Sequence, residues 1–222
     1  MNIKRIVQKY LLGRNLVLNM TLRYLDRKRE IDLSAYAGDY IRNSSLELVA
    51  NEIYTNHVEG SVAELGVYKG DFAKIINELF PDRKLYLFDT FEGFCYNDTA
   101  LDKSREYSLG SQDFSDTSIE IVLKKMKYPS NCVVRKGYFP ATAAGLEDRF
   151  SFVSIDADLY QPTREGLRYF FPLLSKGGYL FVHDYNNAEY KGVREAVREY
   201  CTEHVVGYFP LSDACGSVVV SK

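Results

Sequence analysis

The chain has 222 residues, a hydrophobic fraction of 46%, a charged fraction of 26% and a formal net charge of −2. That length suits one α/β domain with an accessory segment and supports a sizeable core. The near-neutral balance points to no nucleic acid and no strongly acidic partner, and no apolar run reaches the roughly 18 residues of a transmembrane helix. Cys95, Cys132, Cys201 and Cys215 are scattered, with no CxxC pair and no zinc spacing. Reduced thiols in a cytoplasmic protein are therefore expected.

The first 30 residues carry eight Lys and Arg against only Asp26 and Glu30, without the apolar run and cleavage site of a signal peptide. Ile3, Ile6, Val7, Tyr10 and Leu11 recur at helical spacing. This predicts an amphipathic helix that docks on the domain or on a second subunit, hence a homo-oligomer; contact with a membrane surface is the alternative. Residues 1–58 read as an N-terminal helical extension, with Leu46, Val49, Ala50 and Ile53 striping its last helix. Residues 59–222 read as the main domain. Residues 62–65 form a short buried strand, 70–80 a helix closed by Pro81, and 85–88 a second strand. Residues 91–117, rich in Gly, Asp, Ser and Thr, read as a long loop, and loops of that length are usually functional. A helix over 118–127, strands over 132–134 and 150–155, a helix over 163–174 and a strand over 179–182 follow. After a helix over 193–200, two β-rich runs (205–211 and 217–220) suggest a hairpin. Strands alternating with helices imply a mostly parallel sheet covered on both faces, with ligands at the carboxyl ends of its strands.

Four signals fall at those ends. Glu64 to Gly70 spans a strand-to-helix turn whose glycines, Gly66 and Gly70, let backbone approach a ligand. It lacks the GxGxxG of a dinucleotide turn, and its acidic residue suits a cationic ligand such as S-adenosylmethionine. Asp89 ends the second strand, where a carboxylate accepts hydrogen bonds from ribose hydroxyls. Asp156 and Asp158 end the fourth strand; in an extended segment they point the same way and repel unless a cation lies beside them. His183 and Asp184 end the fifth, completing a candidate divalent-metal set of Asp156, His183 and Asp184, with a transition ion admissible because of the imidazole. His57 and His204 read as structural.

These stretches resemble the macrocin O-methyltransferase family, sugar-hydroxyl methylating enzymes, over about residues 39–200. The resemblance rests on Ala63 to Gly70, on Leu87-Phe88-Asp89-Thr90-Phe91-Glu92-Gly93-Phe94, and on Gly137 to Thr142. It continues through Ile155-Asp156-Ala157-Asp158-Leu159-Tyr160 and Gly177 to Tyr185. It implies a Rossmann-like class I methyltransferase sheet with an antiparallel C-terminal hairpin. It implies that Glu64, Gly66 and Asp89 face S-adenosylmethionine, with Tyr68, Gly70, Thr90 and Phe91 in the same donor-binding motifs. It also implies Mg²⁺ at Asp156 and at an acidic pair ending the fifth strand, and Asp158 as general base. Here that pair is His183-Asp184, a departure that bears on the metal.

The expected activity is a metal-assisted O-methyl transfer to a hydroxyl of a sugar, glycoside or polysaccharide precursor. A nicotinamide-dependent oxidoreductase on a similar sheet and a non-catalytic donor-binding protein are the alternatives. Binding of the methyl donor but not of NAD discriminates the first; a metal-free acid cluster without turnover marks the second.

Overall fold

The structure is a computed structural model that describes residues 39–222. The amphipathic pattern at residues 3–11 and the basic run around it lie outside the described residues. Seven strands form one sheet: β1 (Ser61–Leu65), β2 (Leu85–Asp89), β3 (Cys132–Lys136), β4 (Phe150–Ile155), β5 (Leu174–Val182), β6 (Phe209–Pro210) and β7 (Val218–Ser221). Their spatial order is β3-β2-β1-β4-β5-β7-β6. The first five pair in parallel, while β7 is antiparallel to both β5 and β6. This is the expected mostly parallel sheet with a C-terminal antiparallel hairpin, although β6 is only two residues long.

β1 and β4 are buried at every position, as central parallel strands must be when helices cover both faces. Alternate side chains therefore feed two cores. Leu65, Phe88, Val153 and Val182 join Leu167 and Phe170 of α5 (Tyr160–Leu173) and Val193 and Val197 of α6 (Lys191–His204). Val62, Leu87, Phe152 and Phe181 pack on the opposite face. There they meet Leu46, Ala50 and Ile53 of α1 (Tyr40–Thr55), Ala73 and Ile76 of α2 (Asp71–Leu79) and Val122 of α4 (Ile119–Lys125). The stripe read on the last helix of the extension thus buries against the sheet, and α1 belongs to the same compact unit as the sheet.

One element departs from the sequence reading. The stretch 91–117 is not a continuous loop: it contains α3 (Tyr96–Ser104). The inward face of α3 carries Asp98, Thr99 and Asp102, so no apolar periodicity marks it. α5 also starts earlier than expected, at Tyr160, with Pro162 inside its first turn where Pro is tolerated.

Register fixes the site. Leu65 pairs with Phe88 on one side and Ile155 on the other, and Ile155 pairs with Val182. Gly66, Asp89, Asp156 and His183 therefore leave the sheet at one edge, around the β1–β4 junction where the strand order reverses.

Candidate active site

A cavity of about 470 Å³ opens at this edge, a volume in the range of small-molecule sites. Its first wall is the turn after β1. Gly66 has φ +84°, and a Cβ there would lie 1.9 Å from the Asp156 carbonyl oxygen. Sequence reasoning assigned this glycine to ligand approach; the structure adds that it lets the ends of β1 and β4 meet. The Asp89 carboxylate organises the same turn. Its Oδ2 accepts from the backbone N–H of Val67 at 2.6 Å and of Tyr68 at 2.8 Å, and its Oδ1 from that of Phe91 at 2.6 Å. Tyr68 and Phe91 both hold left-handed backbone, φ +48° and +54°, a strained conformation that persists where surrounding bonds enforce it. Asp89→Asn should lose part of this charged acceptor set and about 1.5–3 kcal/mol of stability, read as a lower thermal midpoint by circular dichroism; an unchanged midpoint would show that the turn holds itself.

The second wall is the acid cluster. Arg42, in the first turn of α1, donates from one guanidinium nitrogen to Asp156 Oδ2 at 2.9 Å and from another to Ser154 Oγ at 3.2 Å. The Asp39 side chain fixes that turn as N-cap, accepting from the Arg42 backbone N–H at 3.0 Å. The guanidinium also stacks over Phe72, 3.7 Å from its centroid. His183 Nδ1 lies 3.0 Å from Asp156 Oδ1 and 2.7 Å from Asp184 Oδ2. Asn187 Nδ2 donates to Asp184 Oδ1 at 2.7 Å. Carboxylate oxygens of Asp156, Asp158 and Asp184 come within 4.8 Å of one another. The juxtaposition of Asp156 and Asp158 does not arise from strand alternation. β4 ends at Ile155, and Asp158 turns back through left-handed backbone at φ +58°.

The charges follow from this packing. Burial works against an ionised Asp156, but Arg42 and His183 outweigh it and hold the carboxyl well below the usual range. Burial likewise opposes a charged His183, yet Asp156, acting against Arg42, pushes the imidazole up to about 10 with the help of hydrogen bonds to Asp156 and Asp184. Asp158 moves the other way: burial, then the charges of Asp156 and Asp184, raise it well above an ordinary carboxylate. Glu64, 1% exposed on β1, is also raised well above its usual value by burial, with Arg42 partly offsetting. Its Oε2 is buried with no hydrogen-bond partner among the described residues.

α3 forms the roof. Asp98 Oδ1 accepts from the Tyr138 hydroxyl at 2.9 Å. Asp102, fully buried and pushed up to about 6 by that burial, accepts from the backbone N–H of Tyr160 at the start of α5 at 3.3 Å. The roof is thus tied to the β3 side through one carboxylate and to the β4 side through the other.

Of the sequence candidates, Glu64, Gly66, Tyr68, Asp89, Thr90, Asp156, Asp158, His183 and Asp184 line the cavity. Gly70 and Phe91 do not. Gly70 is the N-cap of α2, where a Cβ would press on Val122 at 2.9 Å, and the Phe91 ring is buried in the α1–α2–α4 core. Arg42, Asp98 and Tyr138 line it without having been anticipated. Arg42 carried no local signal, because its partner lies 114 residues away.

Comparison with known proteins identifies the family. The family described as macrocin-O-methyltransferase (TylF) matches residues 32–213. The chain is similar to the mycinamicin III 3''-O-methyltransferase of Micromonospora griseorubida, 26% identical over 178 residues, 73% of this chain and 68% of the relative. It is also similar to the 8-demethyl-8-(2,3-dimethoxy-alpha-L-rhamnosyl)-tetracenomycin-C 4'-O-methyltransferase of Streptomyces olivaceus, 23% identical over 190 residues, 80% and 71% of the two chains. Among solved structures, the O-methyltransferase NovP superposes with a TM-score of 0.66 at 20% identity, over 82% of this chain and 79% of the other. The calicheamicin methyltransferase CalS11 follows at 0.65 and 19%, over 81% and 78%.

Proposed function

Given that the chain belongs to the macrocin-O-methyltransferase (TylF) family, we propose that it transfers a methyl group from S-adenosylmethionine to a hydroxyl of a sugar, glycoside or polysaccharide precursor. The family makes the chain a methyltransferase, which sets the oxidoreductase alternative aside. The rhamnosyl substrate in one relative's name supports a sugar acceptor. The observation that carries the reading is the orphaned Glu64 Oε2 on the wall of a cavity of about 470 Å³.

That orphan fits the donor, whose ammonium supplies the missing hydrogen-bond donors. Glu64 would bind it, Gly66 and Tyr68 would line it, and Asp89 and Thr90 would face its ribose. Asp89 Oδ1 takes only one backbone N–H, so it retains a lone pair for a hydroxyl. When bound, the donor supplies an electrophilic methyl: the new C–O bond forms as the C–S bond breaks, and that electron pair returns to sulfur. Asp158 accepts the proton of the attacking hydroxyl, a role suited to a carboxyl whose proton affinity is raised. α3 and Tyr138, joined through Asp98, line the side of the cavity where transfer would occur.

This reading leaves out the Mg²⁺ or other divalent cation that the sequence pattern suggested, because protein cations already face these carboxylates. Each oxygen of Asp156 faces a protein cation, Arg42 or His183, and Asp184 Oδ2 faces His183, so a dication there would meet positive charge. His183 Nδ1 points between two carboxylates as a donor, and a donating nitrogen is not a ligand. No step here runs through a metal.

No helix among the described residues is long and apolar enough to cross a membrane. Four unpaired cysteines fit the cytoplasmic setting of this reading, and the basic N-terminal segment supports self-association. Calorimetry tests the donor site. Wild-type protein should bind S-adenosylmethionine and not NAD, and Glu64→Gln should weaken donor binding by about 10–100-fold, the loss of a charged hydrogen bond. Unchanged donor affinity in a folded Glu64→Gln protein removes Glu64 from the site.

A further inference from the structure

We propose that the Asp156–Asp184 carboxylate pair of this chain is neutralised from within by Arg42 and His183 and binds no divalent cation. The inference rests on the methyl-transfer reading for its consequence, but on side-chain geometry for its substance. A divalent cation bridging Asp156 and the end of β5 would bring two positive charges to the cluster. Two protein cations already stand there. The Arg42 guanidinium, its side chain 7% exposed, covers Asp156 Oδ2 at 2.9 Å. It cannot swing away cheaply, because it is also held by Ser154 Oγ and by the Phe72 ring. His183 Nδ1 sits between Asp156 Oδ1 and Asp184 Oδ2, at 3.0 and 2.7 Å, and so occupies the space between the two carboxylates.

A ring nitrogen of His183 also lies within 4.8 Å of carboxylate oxygens of Asp39 and Asp213. The imidazole is therefore ringed by Asp39, Asp156, Asp184 and Asp213, an environment for a proton donor. Arg42 and Asp156 form the remaining half of the network, with Glu64 behind them. Mg²⁺ demands near-octahedral oxygen ligands and sheds water reluctantly. To bind here it would have to expel His183 from Asp156 and Asp184 and leave the imidazolium and Arg42 facing a dication. His183 thus makes this strand end part of an internal salt-bridge network rather than a metal cradle.

The test is titration of the full-length protein with Mn²⁺, followed by electron paramagnetic resonance, with neither donor nor acceptor present. Wild type should show no saturable site at millimolar Mn²⁺. His183→Asp should gain one, with Mn²⁺ bound at least about 10-fold more tightly than the millimolar limit set for wild type. The wild-type titration decides even if that variant misfolds. One tightly bound Mn²⁺ per wild-type chain, lost in Asp156→Asn, would overturn the proposal. Because the readout uses no methyl acceptor, its failure is separable from failure of the sugar-methylation reading. Where transfer is measured, the wild-type rate should be unchanged in excess EDTA, and its abolition would also overturn the proposal.

Discussion

Gly66→Ala is expected to destabilise the protein by about 4 kcal/mol or more, in the tail of single-substitution effects. Two costs add. The backbone at this position is left-handed, φ +84°, which costs a non-glycine residue roughly 1–2 kcal/mol. The larger cost is steric: the new Cβ would meet the Asp156 carbonyl oxygen at 1.9 Å and its carbon at 2.6 Å. Neither side can yield independently. The Asp156 N–H is bonded to the Leu65 carbonyl at 2.8 Å, and the Gly66 N–H to that of Phe88 at 2.9 Å, so the clash pushes directly on three strand ends. A shift of Asp156 would also pull it from Arg42 and His183. Gly145→Ala is the control, since Gly145 has φ +70° but an added Cβ there meets nothing within 4 Å. The control bears the same left-handed cost, so thermal denaturation should place Gly66→Ala roughly 4–12 °C below Gly145→Ala. Equal midpoints would mean that the close approach of β1 and β4 is not a constraint.

Asp158→Asn is expected to cut turnover by on the order of 10²–10⁴-fold, the range for loss of a general base. Asparagine keeps the size of the side chain and tolerates left-handed backbone, so φ +58° adds little strain. What it cannot do is accept the proton. The pH profile gives the sharper reading. Burial, then Asp156 and Asp184, raise Asp158. In wild type, kcat/KM should therefore fall as pH is lowered through a limb lying above the usual carboxylate value of about 3.9. Below that limb the base is protonated and idle; above it the base is available. The limb should flatten in Asp158→Asn, with hydroxide restoring part of the rate at high pH. A variant that keeps both the wild-type rate and the limb would leave Asp158 as a turn residue.

The strand ends were legible because buried parallel strands read as apolar runs, so Glu64 in β1, Asp89 ending β2 and the acids just past β4 and β5 stood out. Proximity across strands could be inferred from parallel order, and register bears it out for Gly66, Asp89, Asp156 and His183. What periodicity could not show was α3, whose buried face is polar: Asp98, Thr99 and Asp102 leave no apolar stripe to detect. Nor could it show Arg42, whose partners Ser154 and Asp156 are more than a hundred residues away in the chain. The Asp156–Asp158 pairing was anticipated on the wrong backbone, since a left-handed turn rather than an extended strand brings the two together. His183 illustrates a further limit: its type allowed metal ligation, and only the distances to Asp156 and Asp184 reveal a donor between two carboxylates.

The deciding experiment is incubation of the wild-type chain with methyl-labelled S-adenosylmethionine and a panel of rhamnosides and other glycosides, with the product located by mass spectrometry. One labelled methyl ether on a sugar oxygen, lost in Asp158→Asn, is the expected result. Label on a nitrogen, a carbon or a non-sugar hydroxyl, with every glycoside untouched while the donor still binds, would contradict it.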